Sequence, residues 1–156
     1  AYLSGYGTSS DALDMLQPNP DTTAQAVQSA LENAGITAGQ IGYVNAHGTA
    51  TVLNDINESK ALRTVFGAAL DDTLVSSSKP VFGHTLGAAG ALELVISVQA
   101  LRHQTVPPQM NFTKPDPKCP LNLPLDGPVS RDLEYVLSNS FAFGGINASL
   151  VVCRAP

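Results

Sequence analysis

The chain's 156 residues suit one ordinary domain, and 44% hydrophobic residues suffice for a buried core, which excludes global disorder. A formal charge of -5 with eight scattered Lys and Arg leaves no electrostatic footprint for a phosphate backbone or an anionic bilayer, so no nucleic-acid partner and no membrane partner is expected. Charged residues make up only 13%, about half the usual quarter, so other protein is expected to cover much of the surface.

No cationic leader precedes an apolar core and no apolar run approaches the roughly 18 residues of a membrane span, so a cytoplasmic protein is expected. Residues 1–7 read as a strand. Asp21 can cap a helix whose apolar positions Ala24, Val27, Leu31 and Ala34 follow helical spacing, with Gly35 as its stop. Residues 41–45 read as a buried strand, and residues 55–66 as a helix with Ile56, Leu62, Val65 and Phe66 near one face and Gly67 after it. A short strand follows at 73–77. From residue 86 to 102 the chain is apolar around nearly the whole circumference, with Glu93 the sole charge before Arg102, so this helix must be buried. Its small residues Gly87, Ala88, Ala89, Gly90 and Ala91 would let another backbone approach closely. Residues 107–128 are a Pro-rich surface excursion, and 135–140 and 148–153 are two strands joined by a turn at Gly144-Gly145. The alternation of strand and helix predicts an α/β domain over 1–156, closed by an antiparallel hairpin. Cys119 and Cys153 lack metal-type spacing and are expected to be reduced thiols.

Three segments place reactive groups at strand ends. His47 lies in Asn45-Ala46-His47-Gly48-Thr49-Ala50-Thr51, just past a buried strand, where open α/β sheets place ligand sites. A histidine satisfied by local hydrogen bonds would explain it equally well in isolation. Lys79-Pro80-Val81-Phe82-Gly83-His84 puts an ammonium and an imidazole immediately before the apolar helix, a segment that could equally be a plain helix-entry turn. Asn139-Ser140-Phe141-Ala142-Phe143-Gly144-Gly145-Ile146-Asn147 pairs aromatics with glycines that can expose backbone N–H groups, or that simply turn a hairpin.

Together and in this order, the three segments resemble the β-ketoacyl synthase family of the thiolase-like fold. The C-terminal half of that family carries a His-Gly-Thr motif, a Lys followed by Gly-His, and an Asn-Ser-Phe-x-Phe-Gly-Gly loop. The resemblance extends from Gly7-Thr8-Ser9-Ser10-Asp11-Ala12 to the last strand. It implies the C-terminal half of a layered αβαβα fold, with a mixed sheet flanked by helices and one buried apolar helix. The same resemblance places the nucleophilic cysteine in an N-terminal half, which is expected outside this sequence. The implied reaction is a decarboxylative Claisen condensation of malonyl-carrier protein with an acyl thioester, in fatty acid or polyketide synthesis.

By the same resemblance, His47 and His84 stabilise the enolate, Lys79 orders the site, and Phe143 is the aromatic gate whose N–H completes an oxyanion hole. Thr49 and Thr51 hold the phosphopantetheine arm of an acyl carrier protein, with Phe141, Gly144 and Gly145 also lining the substrate path. Asn45, Glu93, Ser138 and Asn139 match positions around a structural monovalent or divalent cation; no intrinsic cofactor is implied. Implied partners are the carrier protein, the N-terminal half, and a second synthase subunit in a homodimer or heterodimer. Departures at Val52-Leu53-Asn54, Pro80, Phe82, Ala142 and Ile146 put the shape of the pocket in question; Phe82 in particular would narrow it beside His84. Residues 54–59 and 85–93 look similar to synthases of polyene and other type II polyketide pathways. A non-catalytic chain-length factor is the alternative, and a thiolase is disfavoured because Cys153 lies beyond the glycine loop.

Overall fold

The computed structural model describes residues 1–155. Its seven strands are β1 (Tyr2–Ser10), β2 (Ile41–Asn45), β3 (Leu74–Ser76), β4 (Thr105–Val106), β5 (Val129–Ser130), β6 (Tyr135–Ala142) and β7 (Ile146–Cys153). The helices are α1 (Pro20–Ala34), α2 (Val52–Phe66), the single turn α3 (Lys79–Phe82) and α4 (Ala89–His103). Five strands form one mixed sheet in the order β1-β7-β6-β2-β3, in which β2 runs parallel to both β3 and β6 while β7 is antiparallel to β1 and β6. Strands β4 and β5 make a small separate ribbon.

Side-chain alternation along the sheet creates two cores. Val44, Val75, Leu137 and Val151 face α1 and α2, where they meet Val27, Leu31, Leu62 and Phe66. Their immediate chain neighbours Tyr43, Leu74, Val136 and Val152 face the other way and pack with Ala100 and Leu101 of α4. The parallel strands β2, β3 and β6 sit side by side, so their C-terminal ends share one edge of the sheet, and that edge carries the three reactive segments.

Several local expectations are corrected. The cap of α1 is Asn19, whose side chain accepts the Asp21 N–H at 3.0 Å, and Asp21 lies inside the first turn. Helix α2 starts earlier, at Val52, because Thr51 is extended and its carbonyl takes the first helical hydrogen bond from the Asp55 N–H at 3.0 Å. The hairpin strands run further than expected, pairing up to Ala142 and Ile146, so only residues 143–145 form the turn. The apolar helix begins with a 3-10 turn at Leu86–Ala88, and it is not buried all round. Leu92 and Val95 are 42% and 55% exposed on the face turned away from the sheet. The sheet supplies cover on one side only, in line with a surface that needs further protein. Of its small residues, Gly90 meets Ser140 while Gly87 faces open space. Both cysteines are free, and no described helix is long and apolar enough to cross a membrane.

Candidate active site

His47 follows β2, Lys79 opens α3 just past β3, and Phe141 lies near the end of β6. Because these strands are parallel neighbours, three segments distant in sequence converge at one place. The His47 and His84 rings stand edge to face, with centroids 5.4 Å apart and planes at 86°. The ring packed against His47 on its other side is Phe141, at 5.7 Å. Lys79 Nζ lies 3.3 Å from His47 Nδ1 and forms a buried ion pair with Glu93 Oε1 of α4.

These contacts fix the histidine tautomers. An ammonium has no acceptor, so the Lys79 contact makes His47 Nδ1 the acceptor and leaves the ring proton on Nε2. His84 Nδ1 accepts the Leu86 N–H at 3.2 Å, which puts its ring proton on Nε2 as well. His47 is only 6% exposed. Burial, and secondarily the Lys79 charge and then His84, lower its pKa to about 3, so the ring is neutral at physiological pH. The site therefore presents two N–H donors side by side.

A further residue, Glu58 of α2, anchors this arrangement. Its buried carboxylate accepts the His47 N–H and the Gly48 N–H, each at 2.9 Å, and Asn139 Nδ2 at 3.1 Å. Burial pushes the carboxyl pKa up, while the bonds from Gly48, Asn139 and His47 and the Lys79 charge pull it down. Nothing in the motif reading singled it out. The signal was present all the same, since Glu58 shares the apolar face of α2 with Ala61 and Leu62, at helical spacings of three and four.

The proposed cation residues divide. Asn45 Nδ2 donates to the Glu93 carbonyl at 3.0 Å, whereas Asn45 Oδ1 and Glu93 Oε2 are buried without a hydrogen-bond partner. Two such oxygens are the hard donors a cation takes, and they fit that role. Ser138 is buried beside Asn45 in the sheet register. The side chain of Asn139 is already engaged, donating to Glu58 and accepting from Ser149 Oγ at 2.8 Å. Among the described residues, no three His, Cys, Asp or Glu side chains converge as a metal site.

A cleft of about 1250 Å³ opens from this centre, walled by Thr49, Thr51, Lys79 and His84 on one side and by the surface excursion from Gln109 to Leu125 on the other. The Thr49 and Thr51 hydroxyls are 2.9 Å apart. Phe82 is exposed and is not part of this wall, contrary to the expected narrowing. Phe143, Gly144 and Gly145 are likewise not in the cleft: Phe143 is 79% exposed at the tip of the hairpin. That tip is tied instead to residues 11–15, through Asp11 N–H to the Gly145 carbonyl at 2.8 Å and Gly144 N–H to the Met15 carbonyl at 2.9 Å.

A model of the β-ketoacyl synthase C-terminal domain matches residues 1–113. The chain belongs to the β-ketoacyl synthase family. It is 42% identical over 156 residues to a 3-oxoacyl-[acyl-carrier-protein] synthase 2 of Coxiella burnetii, covering 99% of this chain and 38% of that protein. A β-ketoacyl synthase from Burkholderia phymatum superposes with a TM-score of 0.94 at 44% identity, over 99% of this chain and 37% of that one. The ishigamide ketosynthase/chain length factor gives the same TM-score at 36% identity, over 99% of this chain and 38% of that one. The fold is thus the α/β, thiolase-like ketosynthase fold, and this β-ketoacyl synthase chain spans somewhat over a third of the length of the relatives it matches.

Proposed function

We propose that this chain supplies the decarboxylation machinery of a 3-oxoacyl-acyl-carrier-protein synthase, with the nucleophilic cysteine contributed by an N-terminal half. The observation that carries the reading is the pair of facing imidazoles, each with Nδ1 occupied by a donor and each left with an Nε2 proton. A malonyl thioester whose carbonyl oxygen sits between these donors loses carbon dioxide. The bond between C2 and the carboxylate breaks, and its electron pair moves to C2 and the thioester oxygen. Both N–H groups then meet developing negative charge with no reorganisation, and the burial of His47 strengthens its contact. The C2 carbanion attacks the acyl thioester on the cysteine, the new carbon–carbon bond forms, and the thiolate leaves.

Lys79 holds His47 in the donor tautomer, Glu93 neutralises Lys79, and Glu58 fixes the backbone that carries His47. Thr49 and Thr51, at the mouth of the cleft, suit the amide groups of a phosphopantetheine arm delivered by an acyl carrier protein, an orienting role that lowers the entropic barrier. A cation held by Asn45 and Glu93, with Ser138 and Asn139 alongside, would contribute charge balance within this buried polar cluster. Phe143 lies outside the cleft, at the exposed hairpin tip. The half-covered face of α4 suits the missing half and a second synthase subunit.

A non-catalytic chain-length-factor role is the second reading, favoured by the likeness to the ishigamide ketosynthase/chain length factor. The complete synthase decides between them by malonyl-carrier decarboxylation. His47→Ala and His84→Ala should each lower the rate at least about 100-fold, the scale of losing one oxyanion donor. Retention of the parent rate by both variants would contradict the assignment, and a complete protein that lacks decarboxylation altogether would favour the partner role.

A further inference from the structure

Ser77 takes part in none of the roles above, yet it bonds to both the His47 loop and the Lys79 segment. It is buried just past the end of β3. Its hydroxyl donates to the Gly48 carbonyl at 3.1 Å and accepts the Lys79 N–H at 3.3 Å. Its own N–H donates to Gln109 Oε1 of the excursion at 2.9 Å, which fixes the backbone from which the hydroxyl projects. A serine hydroxyl has one proton and two lone pairs, so it can make both of these bonds at once.

The contacts close a ring. From His47 the chain passes to Gly48, whose carbonyl meets the Ser77 hydroxyl; the hydroxyl holds the Lys79 backbone; and the Lys79 ammonium returns to His47 Nδ1 at 3.3 Å. Gly48 and Ser77 sit in close contact. A Cβ on Gly48 would lie 2.6 Å from Ser77 Cβ and 2.9 Å from Ser77 Oγ, and Gly48 has φ +43°. Glu58 secures the N–H side of the same Gly48 peptide region at 2.9 Å, so the loop is clamped by an acceptor on one flank and a donor on the other.

We propose that Ser77 is a positioning residue that sets the separation between His47 and Lys79, and through it the direction of the His47 Nε2 proton. The proposal rests on the histidine reading above, and its test separates the two. In the complete synthase, Ser77→Ala opens the ring and should lower kcat for malonyl-carrier decarboxylation about tenfold or more, because small misplacements of reacting groups are costly. KM should change less than kcat, within about threefold, because Ser77 lines the cleft but its hydroxyl is engaged by the Gly48 carbonyl and the Lys79 N–H. Ser77→Thr keeps the hydroxyl and should recover the rate to within about threefold of the parent, a rescue that a merely volume-filling role would not require.

A Ser77→Ala rate equal to the parent, or equal losses in the Ala and Thr variants, would overturn the proposal. If Ser77→Ala does not fold, Gln109→Leu frees the Ser77 backbone without removing the hydroxyl and must lower the same kcat; an unchanged value would count against the ring. His47→Ala serves as the internal reference. If it keeps the parent rate, the histidine reading fails; if it loses the rate while Ser77→Ala does not, the Ser77 proposal alone fails.

Discussion

Replacing Lys79 with Met removes a charge that is bound on two sides. Lys79 and Glu93 are both buried, and Lys79 Nζ also holds His47 Nδ1 at 3.3 Å. Glu93 Oε2 already lacks a hydrogen-bond partner, so the variant leaves a carboxylate with neither oxygen satisfied. Breaking a buried pair from one side costs about 3–5 kcal/mol, because the remaining charge is stranded in low dielectric. Burial raises the Glu93 carboxyl pKa and Lys79 opposes that rise, so without the lysine the group protonates more readily. Protonation relieves the stranded charge, and the penalty should therefore shrink as pH falls. Urea unfolding of the parent and variant at pH 8 and pH 5 measures both effects. The double variant Lys79→Met with Glu93→Leu should recover most of the loss, since an apolar pair of similar volume is often neutral. A Lys79→Met cost below about 1 kcal/mol at pH 8 would refute the reasoning, as would a double variant destabilised by the sum of the two single changes.

His47 adds a pH dependence of the same sign. Unfolded, its imidazole binds a proton below its ordinary value of 6.5; folded, it refuses that proton until about pH 3. The unfolded state thus binds more protons across this window, so the stabilisation is complete above pH 6.5 and is lost as pH falls towards 3. Titrating stability between pH 6.5 and 4 should show a flatter slope for His47→Asn than for the parent; identical slopes would contradict the burial account. Glu58→Leu strands the N–H groups of His47 and Gly48 and the amide of Asn139, and should cost at least about 3 kcal/mol, read by denaturant titration. The hairpin glycines should differ. Gly145→Ala drives a Cβ to 2.3 Å from Asp11 Cβ at φ +73°, whereas Gly144→Ala meets open space at φ +79°. Gly145→Ala should accordingly melt well below Gly144→Ala, and equal melting midpoints would be the contrary result.

Most of the sheet was legible because it rests on local signals, whereas the convergence of the centre was expected only from the resemblance, since it depends on the strand order β6-β2-β3. The strand at 41–45, the stops at Gly35 and Gly67, and the glycine turn at 144–145 all use short-range rules of periodicity and backbone freedom. The start of α2 was missed because its cap, Thr51, makes no side-chain capping bond: its hydroxyl is 2.9 Å from that of Thr49 instead. The extent of β6 and β7 depends on cross-strand pairing, which residue propensity at 141–147 does not report. The apolar periphery of α4 indicated burial correctly only in part, since composition cannot say which chain provides the cover. His47, Lys79 and His84 could be picked by residue type at strand ends. Glu58 and Ser77 could not, because they act by holding backbone groups, and a carboxylate or hydroxyl in that role leaves no motif. Phe143 shows the converse limit: it was assigned by resemblance, and its position at an exposed tip depends on contacts with residues 11–15 that no local pattern encodes.

The most direct measurement is the protonation of the individual ring nitrogens in the intact synthase carrying ¹⁵N-labelled histidine, read at neutral pH by long-range proton–nitrogen correlation and assigned with the His47→Ala and His84→Ala variants. Two facing donors require both rings to carry their proton on Nε2, with Nδ1 bare. A proton on Nδ1 of either ring would turn one of the two donors away from the thioester oxygen and contradict the proposed chemistry.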